Sequence, residues 1–207
     1  MRDYECWEIK GHSLEYFDDT HTYICDGEIL PSITQILKKK FPDMYKGIPE
    51  AMLNRASEEG TKLHDAIERL CTEGESEDMK EIDNFLFLKK KYNFEVLENE
   101  VPVILFDGDR PIAAGRLDLV LEMDGHLVGA DIKRTAKLNK EYVGLQLNLY
   151  RIAYRQCYGK EWEELRAVHL REDTRKFVKI PINEDYTMEV IRDVLHEQGH
   201  TDRNDRE

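Results

Sequence analysis

No stretch of this 207-residue chain is apolar for long enough to cross a bilayer as a helix, which takes about 20 such residues. The opening MRDYECWEIKGHSLEYF also lacks the continuous apolar core of a secretory signal. These two absences lead us to expect a protein of the reducing cytoplasm with no membrane partner. Cysteine is scarce and scattered. Cys6, Cys25, Cys71 and Cys157 have the paired spacing of neither a zinc site nor an iron–sulfur cluster, so four free thiols and no cluster are expected. There is no internal repeat and no low-complexity tract. Positive charge is short as well, with 30 Lys and Arg against 43 Asp and Glu, a net charge of −13. An extended nucleic-acid footprint normally shows as basic charge, so contact with a polyanion has to rest on a local patch or on bound cations.

What is present is an ordinary globular composition, 41% hydrophobic and 35% charged. The length suits one domain, or one domain with an appended lobe. Residues 1–48 read as an N-terminal extension: a small β-hairpin region with Asp26-Gly27 as its turn, then a short helix after Pro31-Ser32. Residues 49–197 read as the core and 198–207 as a frayed polar tail. Within the core, a helix from Glu50 to about Cys71 carries Ala56, Leu63, Ile67 and Leu70 on an inward stripe. A second helix follows in DMKEIDNFLFLKKKY. From Phe94 the period becomes two, giving strands in FEVLENEVPVILF, IAAGRLDLVLE and HLVGADIK. An apolar helix ending near Gly159, two further strands and a last helix complete an α/β fold, a mixed central sheet flanked by helices.

Asp124-Gly125 is a strong two-residue hairpin signal. If it forms the loop, Leu121, Leu119 and Leu117 oppose Val128, Ala130 and Ile132, one apolar face throughout. The same register sets Asp118 opposite Asp131, where Cβ atoms are about 4.5–5.5 Å apart and like charges repel. A divalent cation between the two relieves that repulsion, and oxygen ligands suit Mg²⁺ or Mn²⁺. Lys133 points to the same face as Asp131. Carboxylates holding a metal beside an ammonium are the equipment for attacking a phosphodiester. A solvated pair of aspartates with no ligand is the alternative at this point.

GRLD (Gly115–Asp118), DIK (Asp131–Lys133), QLNLY (Gln146–Tyr150) and, upstream, GTKLH with Gly60 and His64 occur in a telling order. It resembles that of the PD-(D/E)XK nuclease superfamily, and within it the RecB-like exonuclease branch. HTYICDGEILPSITQIL resembles the leader of phage and prophage nucleases of this group, akin to the mitochondrial genome maintenance exonuclease, and the likeness spans about residues 15 to 157. The resemblance implies a restriction-endonuclease-like core and a Mg²⁺- or Mn²⁺-dependent deoxyribonuclease with two ions. It implies that Asp118, Asp131, His64 and the Ile132 carbonyl ligate metal and that Lys133 is catalytic. A glutamate on the strand before GRLD joins them, Glu100 in preference to Glu98. Gln146 and Tyr150 then line the substrate channel rather than form a satisfied core pair. The acid-free run Lys133, Arg134, Lys137 and Lys140 is the candidate for the local patch that grips DNA, with a solvated loop as the alternative. The implied setting is phage or prophage recombination in the bacterial cytoplasm, with a recombinase or single-strand-binding protein as partner. Two other expectations remain open: a catalytically silent DNA- or recombinase-binding module of this fold, and an acidic DNA mimic.

Overall fold

The computed structural model describes residues 4–204, a mixed α/β arrangement of two sheets and five helices. The chain opens with a four-stranded antiparallel sheet, β1 (Tyr4–Ile9), β2 (His12–Phe17), β3 (Thr22–Cys25) and β4 (Glu28–Leu30). Its outer turns, Lys10-Gly11 and Asp26-Gly27, have positive φ at both central residues, the twist that matches a two-residue hairpin. Strand β1 escapes the sequence reading because Ile9 is its only buried residue among those in the strand. Helix α1 (Ile33–Lys40) starts at a reciprocal cap. Ser32 Oγ accepts from Gln35 N at 3.0 Å, and Gln35 Oε1 accepts from Ser32 N at 2.9 Å.

Helices α2 (Glu50–Thr72) and α3 (Lys80–Tyr92) lead into a five-stranded sheet of order β5 (Phe94–Asp107), β6 (Arg110–Met123), β7 (His126–Lys133), β8 (Glu164–Arg171) and β9 (Thr174–Ile180). Strands β7 and β8 are parallel and the rest antiparallel, so α4 (Lys140–Tyr158) is the crossover between them. Helix α5 (Glu184–Asn204) ends the chain. It continues through residues expected as a tail, since no proline interrupts it, and residues 205–207 of that tail lie outside the described residues.

Apolar burial is divided by the large sheet. On one face Leu37, Val143, Leu147 and Ile191 of α1, α4 and α5 pack with Val103, Val120 and Ala167. On the other, Leu63 and Ile67 of α2 and Phe85 and Leu88 of α3 pack with Leu121, Val128 and Ile132. The inward stripe of α2 is shorter than expected: Leu63, Ala66 and Ile67 are buried but Ala56 is exposed, because the first turns of the helix have no cluster beneath them. The small sheet is fastened to the large one. Leu14 and Tyr23 pack with Ile104 and Phe106, and Ala114 N donates to Pro31 O at 3.0 Å. Residues 4–48 are thus continuous with the core. None of the four cysteines is paired, and among the described residues no helix is long and apolar enough to cross a membrane.

Candidate functional site

The Asp124-Gly125 turn has φ of 52° and 82°, and β6 and β7 pair in the expected register from Met123↔His126 to Leu119↔Ala130. There the ladder stops. The expected pairs Leu117–Ile132 and Asp118–Asp131 do not form, and the cause lies in the neighbouring strand. Leu97 is an extra residue that bulges β5, and Glu100 adopts a left-handed φ of 47°. The β5–β6 ladder accordingly skips from Asn99↔Leu119 to Val101↔Leu117, leaving out Glu100 and Asp118. Buried side chains change face across this point. Leu119 and Leu121 join the α2–α3 cluster, whereas Leu117 joins the α1–α4 cluster. A left-handed non-glycine residue costs on the order of 1–3 kcal/mol, and among the described residues Glu100 is the one that lies inside a strand, the others falling in turns or at a helix end.

Three donors meet at this kink. His64, on α2, has Nδ1 3.5 Å from Glu100 Oε1 and 3.7 Å from Asp118 Oδ1. Their ligating atoms all lie within 4.8 Å of one another. Glu68, one turn further along α2, makes no ion pair with the histidine. Asp118 Oδ2 accepts from Ile132 N at 2.6 Å, so the carboxylate replaces the missing ladder bond between β6 and β7. The bulge and the left-handed turn also separate the two glutamates that simple alternation puts on one face. Glu100 joins His64, while Glu98 accepts from Tyr154 Oη at 2.7 Å.

Asp131 is not part of the three-donor group. Its carboxylate is held by Lys133, whose Nζ lies 2.7 Å from Oδ1 and 2.6 Å from Oδ2, and the aspartate side chain is only 2% exposed. Burial pushes Asp131 up to about 6 even against the lysine charge. Burial likewise raises Asp118, against the opposing pull of His64 and Lys133. For Lys133, burial works downward, but Asp131 and Asp118 outweigh it and raise the ammonium. Burial also works downward on His64, and the Asp118 charge with the Glu100 hydrogen bond and charge reverse it, lifting the imidazole to about 9. The arrangement is an acidic cluster of Glu100, Asp118 and Asp131 faced by the His64 imidazole, the Lys133 ammonium and the Arg116 guanidinium. Its three nearest donors, two carboxylates and an imidazole, are of the kind that suits hard or borderline metal ions.

A cleft of about 320 Å³ joins these groups, with His64, Asp118, Lys133, Lys137, Gln146 and Tyr150 among its lining. Gln146 is 7% exposed and its Oε1 has no protein partner, nor has the Thr135 hydroxyl in the same wall. The satisfied Gln–Tyr core pair is therefore not what α4 presents. Tyr150 lies over Gly115, where an added Cβ would be 2.9 Å from its Cε1, so the glycine of GRLD makes room for the tyrosine of QLNLY. The basic run divides. Lys137 lines the cleft, and exposed Lys140 begins α4 away from that lining. Arg134 corrects the expectation of a free phosphate grip. It is bound by Glu81 at 2.9 Å and by Glu59, because its partly buried guanidinium sits between α2 and α3. Arg116 lines the cleft although the sequence reading passed it over. It is bound to Glu100 at 2.8 Å and to Glu5 at 2.9 Å.

A second trio, His12, Cys25 and Asp26, also converges. Asp26 there already accepts from His12 at 2.6 Å and from Ser13 N at 2.9 Å, which accounts for it as a hairpin brace.

No protein-family model matches the chain, and no curated protein matches it. Among solved structures 22 chains match. One, titled "Crystal structure of SSO0001", aligns over 81% of this chain and 75% of that chain, with 17% identity and a TM-score of 0.44.

Proposed function

We propose that this chain is a metal-dependent DNA exonuclease of the RecB-like PD-(D/E)XK type, with a restriction-endonuclease-like core formed by the five-stranded sheet and its helices. The observation that carries the reading is the convergence of His64, Glu100 and Asp118 beside the Asp131–Lys133 pair, with His64, Asp118 and Lys133 lining one cleft. Four separate elements contribute these residues, which chance solvation of a strand face does not account for. His64, Glu100 and Asp118 would hold a divalent cation, Mg²⁺ or Mn²⁺. Asp131 and the Ile132 carbonyl are the candidate donors for a second. Bound there, such ions supply Lewis-acid polarisation and a water of lowered pKa.

The protein's own groups account for the rest. Asp131 holds the Lys133 ammonium in the buried wall, where it offsets the charge that grows on a phosphate in the transition state. Lys137 adds positive potential at the same cleft. Gln146 Oε1 and the Thr135 hydroxyl lie buried without a partner in the residues that line this cleft. Several of the acids that dominate the net charge are spent on pairs within the chain, Glu59 and Glu81 with partly buried Arg134, and Glu184 at the surface with Arg151 and Arg155. That distribution favours a nuclease over a DNA mimic.

The test is digestion of 5′- and 3′-labelled single- and double-stranded oligonucleotides, with a circular control, in Mg²⁺, Mn²⁺ and chelator. We expect cutting of linear DNA with either metal and none in chelator. Lys133→Ala and Asp118→Ala should each slow it by at least about 10²-fold, the scale of losing one transition-state contact. Unchanged cutting by either folded variant removes the mechanism.

A further inference from the structure

Arg116 has no part in the reaction described above, yet it is the most heavily engaged cation in the cleft. Its Nε donates toward Glu100 Oε2 at 2.8 Å and its Nη1 to Glu5 Oε1 at 2.9 Å, and its guanidinium lies 5.1 Å from the centre of the Tyr16 ring. Those three partners come from β5, β1 and β2, so a single side chain of β6 joins the small sheet to the metal-donor group. About a quarter of the Arg116 side chain, 26%, remains exposed, and it shares the cleft wall with Asp118 and Lys133.

Glu100 is claimed from two sides. Oε2 is held by Arg116, while Oε1 lies 3.5 Å from His64 Nδ1 among the donors. The left-handed φ of 47° is what aims this side chain between them. A carboxylate that serves a cation gives up part of its charge to it and binds a neighbouring guanidinium less well. A partly buried guanidinium that loses one of its anions needs another. Its planar fork matches a phosphate as well as it matches a carboxylate.

We propose that Arg116 is the phosphate-binding residue of this cleft and that Glu100 is its counter-ion only until a divalent cation is present. Glu100, whose Oε1 already faces the other donors, then gives up its Oε2 contact with Arg116, and Arg116, still anchored by Glu5 and Tyr16, receives a backbone phosphate of the DNA strand. Metal and DNA consequently bind cooperatively, each raising the affinity for the other. The identity of the ligand as DNA rests on the nuclease reading; the exchange at Glu100 does not.

The experiment is calorimetric titration with Mn²⁺ alone on the full chain, for wild type, Arg116→Gln, Glu100→Gln and the double variant. Releasing Glu100 should make Arg116→Gln bind Mn²⁺ at least about fivefold more tightly, the lower end of coupling between linked sites. Glu100→Gln should bind it more weakly, and adding Arg116→Gln to that background should bring no gain. Weaker or unchanged Mn²⁺ binding by Arg116→Gln, the result expected of a purely structural prop, overturns the proposal. So does an equal gain with and without Glu100, which would mark a general field effect. Glu5 left without its partner can unfold the variant; Arg116→Gln with Glu5→Gln removes that stranded charge and is held to the same outcome. For DNA, the salt dependence of binding a labelled single strand in Ca²⁺ should lose about 0.7 from its slope in Arg116→Gln, the share of one phosphate on a single strand. An unchanged slope overturns the phosphate role. A protein that shows the coupling but cuts no DNA removes the nuclease reading and leaves the exchange standing. One that cuts DNA without the coupling removes the exchange alone.

Discussion

A single methyl group at Gly129 separates a β7 braced against Trp162 from one that is not. Gly129 pairs with Val120 on one side and Leu165 on the other, so its backbone cannot retreat without breaking two ladders. A Cβ built there lies 2.0 Å from Trp162 Cε3, 2.3 Å from Cζ3 and 2.6 Å from Cδ2. Comfortable carbon contacts begin near about 3.5 Å, so the indole would have to move by about 1.5 Å. Trp162 is 1% exposed and packs on Tyr154 with ring centres 4.9 Å apart, which leaves it little room. Overpacking costs about 1–3 kcal/mol where neighbours can yield; here we expect about 3 kcal/mol or more for Gly129→Ala. At about 2–4 °C per kcal/mol for a chain of this size, Tm falls by about 6–12 °C. Urea unfolding followed by circular dichroism measures the loss. Trp162→Leu should destabilise the protein on its own, yet the double variant should lose at least about 1 kcal/mol less than the sum of the two single losses. A Gly129→Ala cost within about 0.5 kcal/mol, the range of an inert surface change, refutes the reasoning. So does strict additivity.

Gly115→Ala meets a softer obstacle, the outer edge of the Tyr150 ring, and should cost about 1–2 kcal/mol. If the tyrosine lines the substrate cleft, DNA cutting by that variant should fall further than its folded fraction, and equal losses of stability and activity would speak against the cleft assignment. In chelator, stability should decline as pH rises from about 6.5 toward 9. His64 is lifted to about 9 by Asp118 and Glu100, so its contribution is full below its unfolded value of about 6.5 and is lost as pH passes through the folded one. The whole effect is of order a few kcal/mol. Urea titrations at the two pH values should give that decline in wild type and a flatter profile in His64→Gln; matching profiles would mean that the imidazole does not sense the carboxylates.

Sequence logic recovered the parts of this molecule that local chemistry controls. Asp124-Gly125 fixed the β6–β7 register, Gly159 marked the end of α4, and Pro31-Ser32 marked the start of α1. It also singled out His64, Glu100, Asp118, Asp131, Lys133, Gln146 and Tyr150, side chains that fold into one neighbourhood. The failures have a common source. Strict alternation carried along β6 places Asp118 against Asp131, but one bulge and one left-handed glutamate in the adjacent strand turn the face over at that residue. No pattern within β6 records an event in β5. Arg134 and Arg116 fail for a related reason. A run of basic residues says nothing of the glutamates that tertiary packing brings to it, and Arg134 is claimed by Glu59 and Glu81. Arg116, flanked in sequence by glycine and leucine, gives no sign that Glu5 lies beside it.

The most direct measurement of the central claim is the anomalous difference density of a Mn²⁺-soaked crystal. We predict a peak within about 2.0–2.3 Å of both an Asp118 carboxylate oxygen and a His64 ring nitrogen, with Glu100 turned toward it, distances ordinary for such ligands. A map with the three side chains apart and no density among them, in crystals that bind Mn²⁺ elsewhere, contradicts the account.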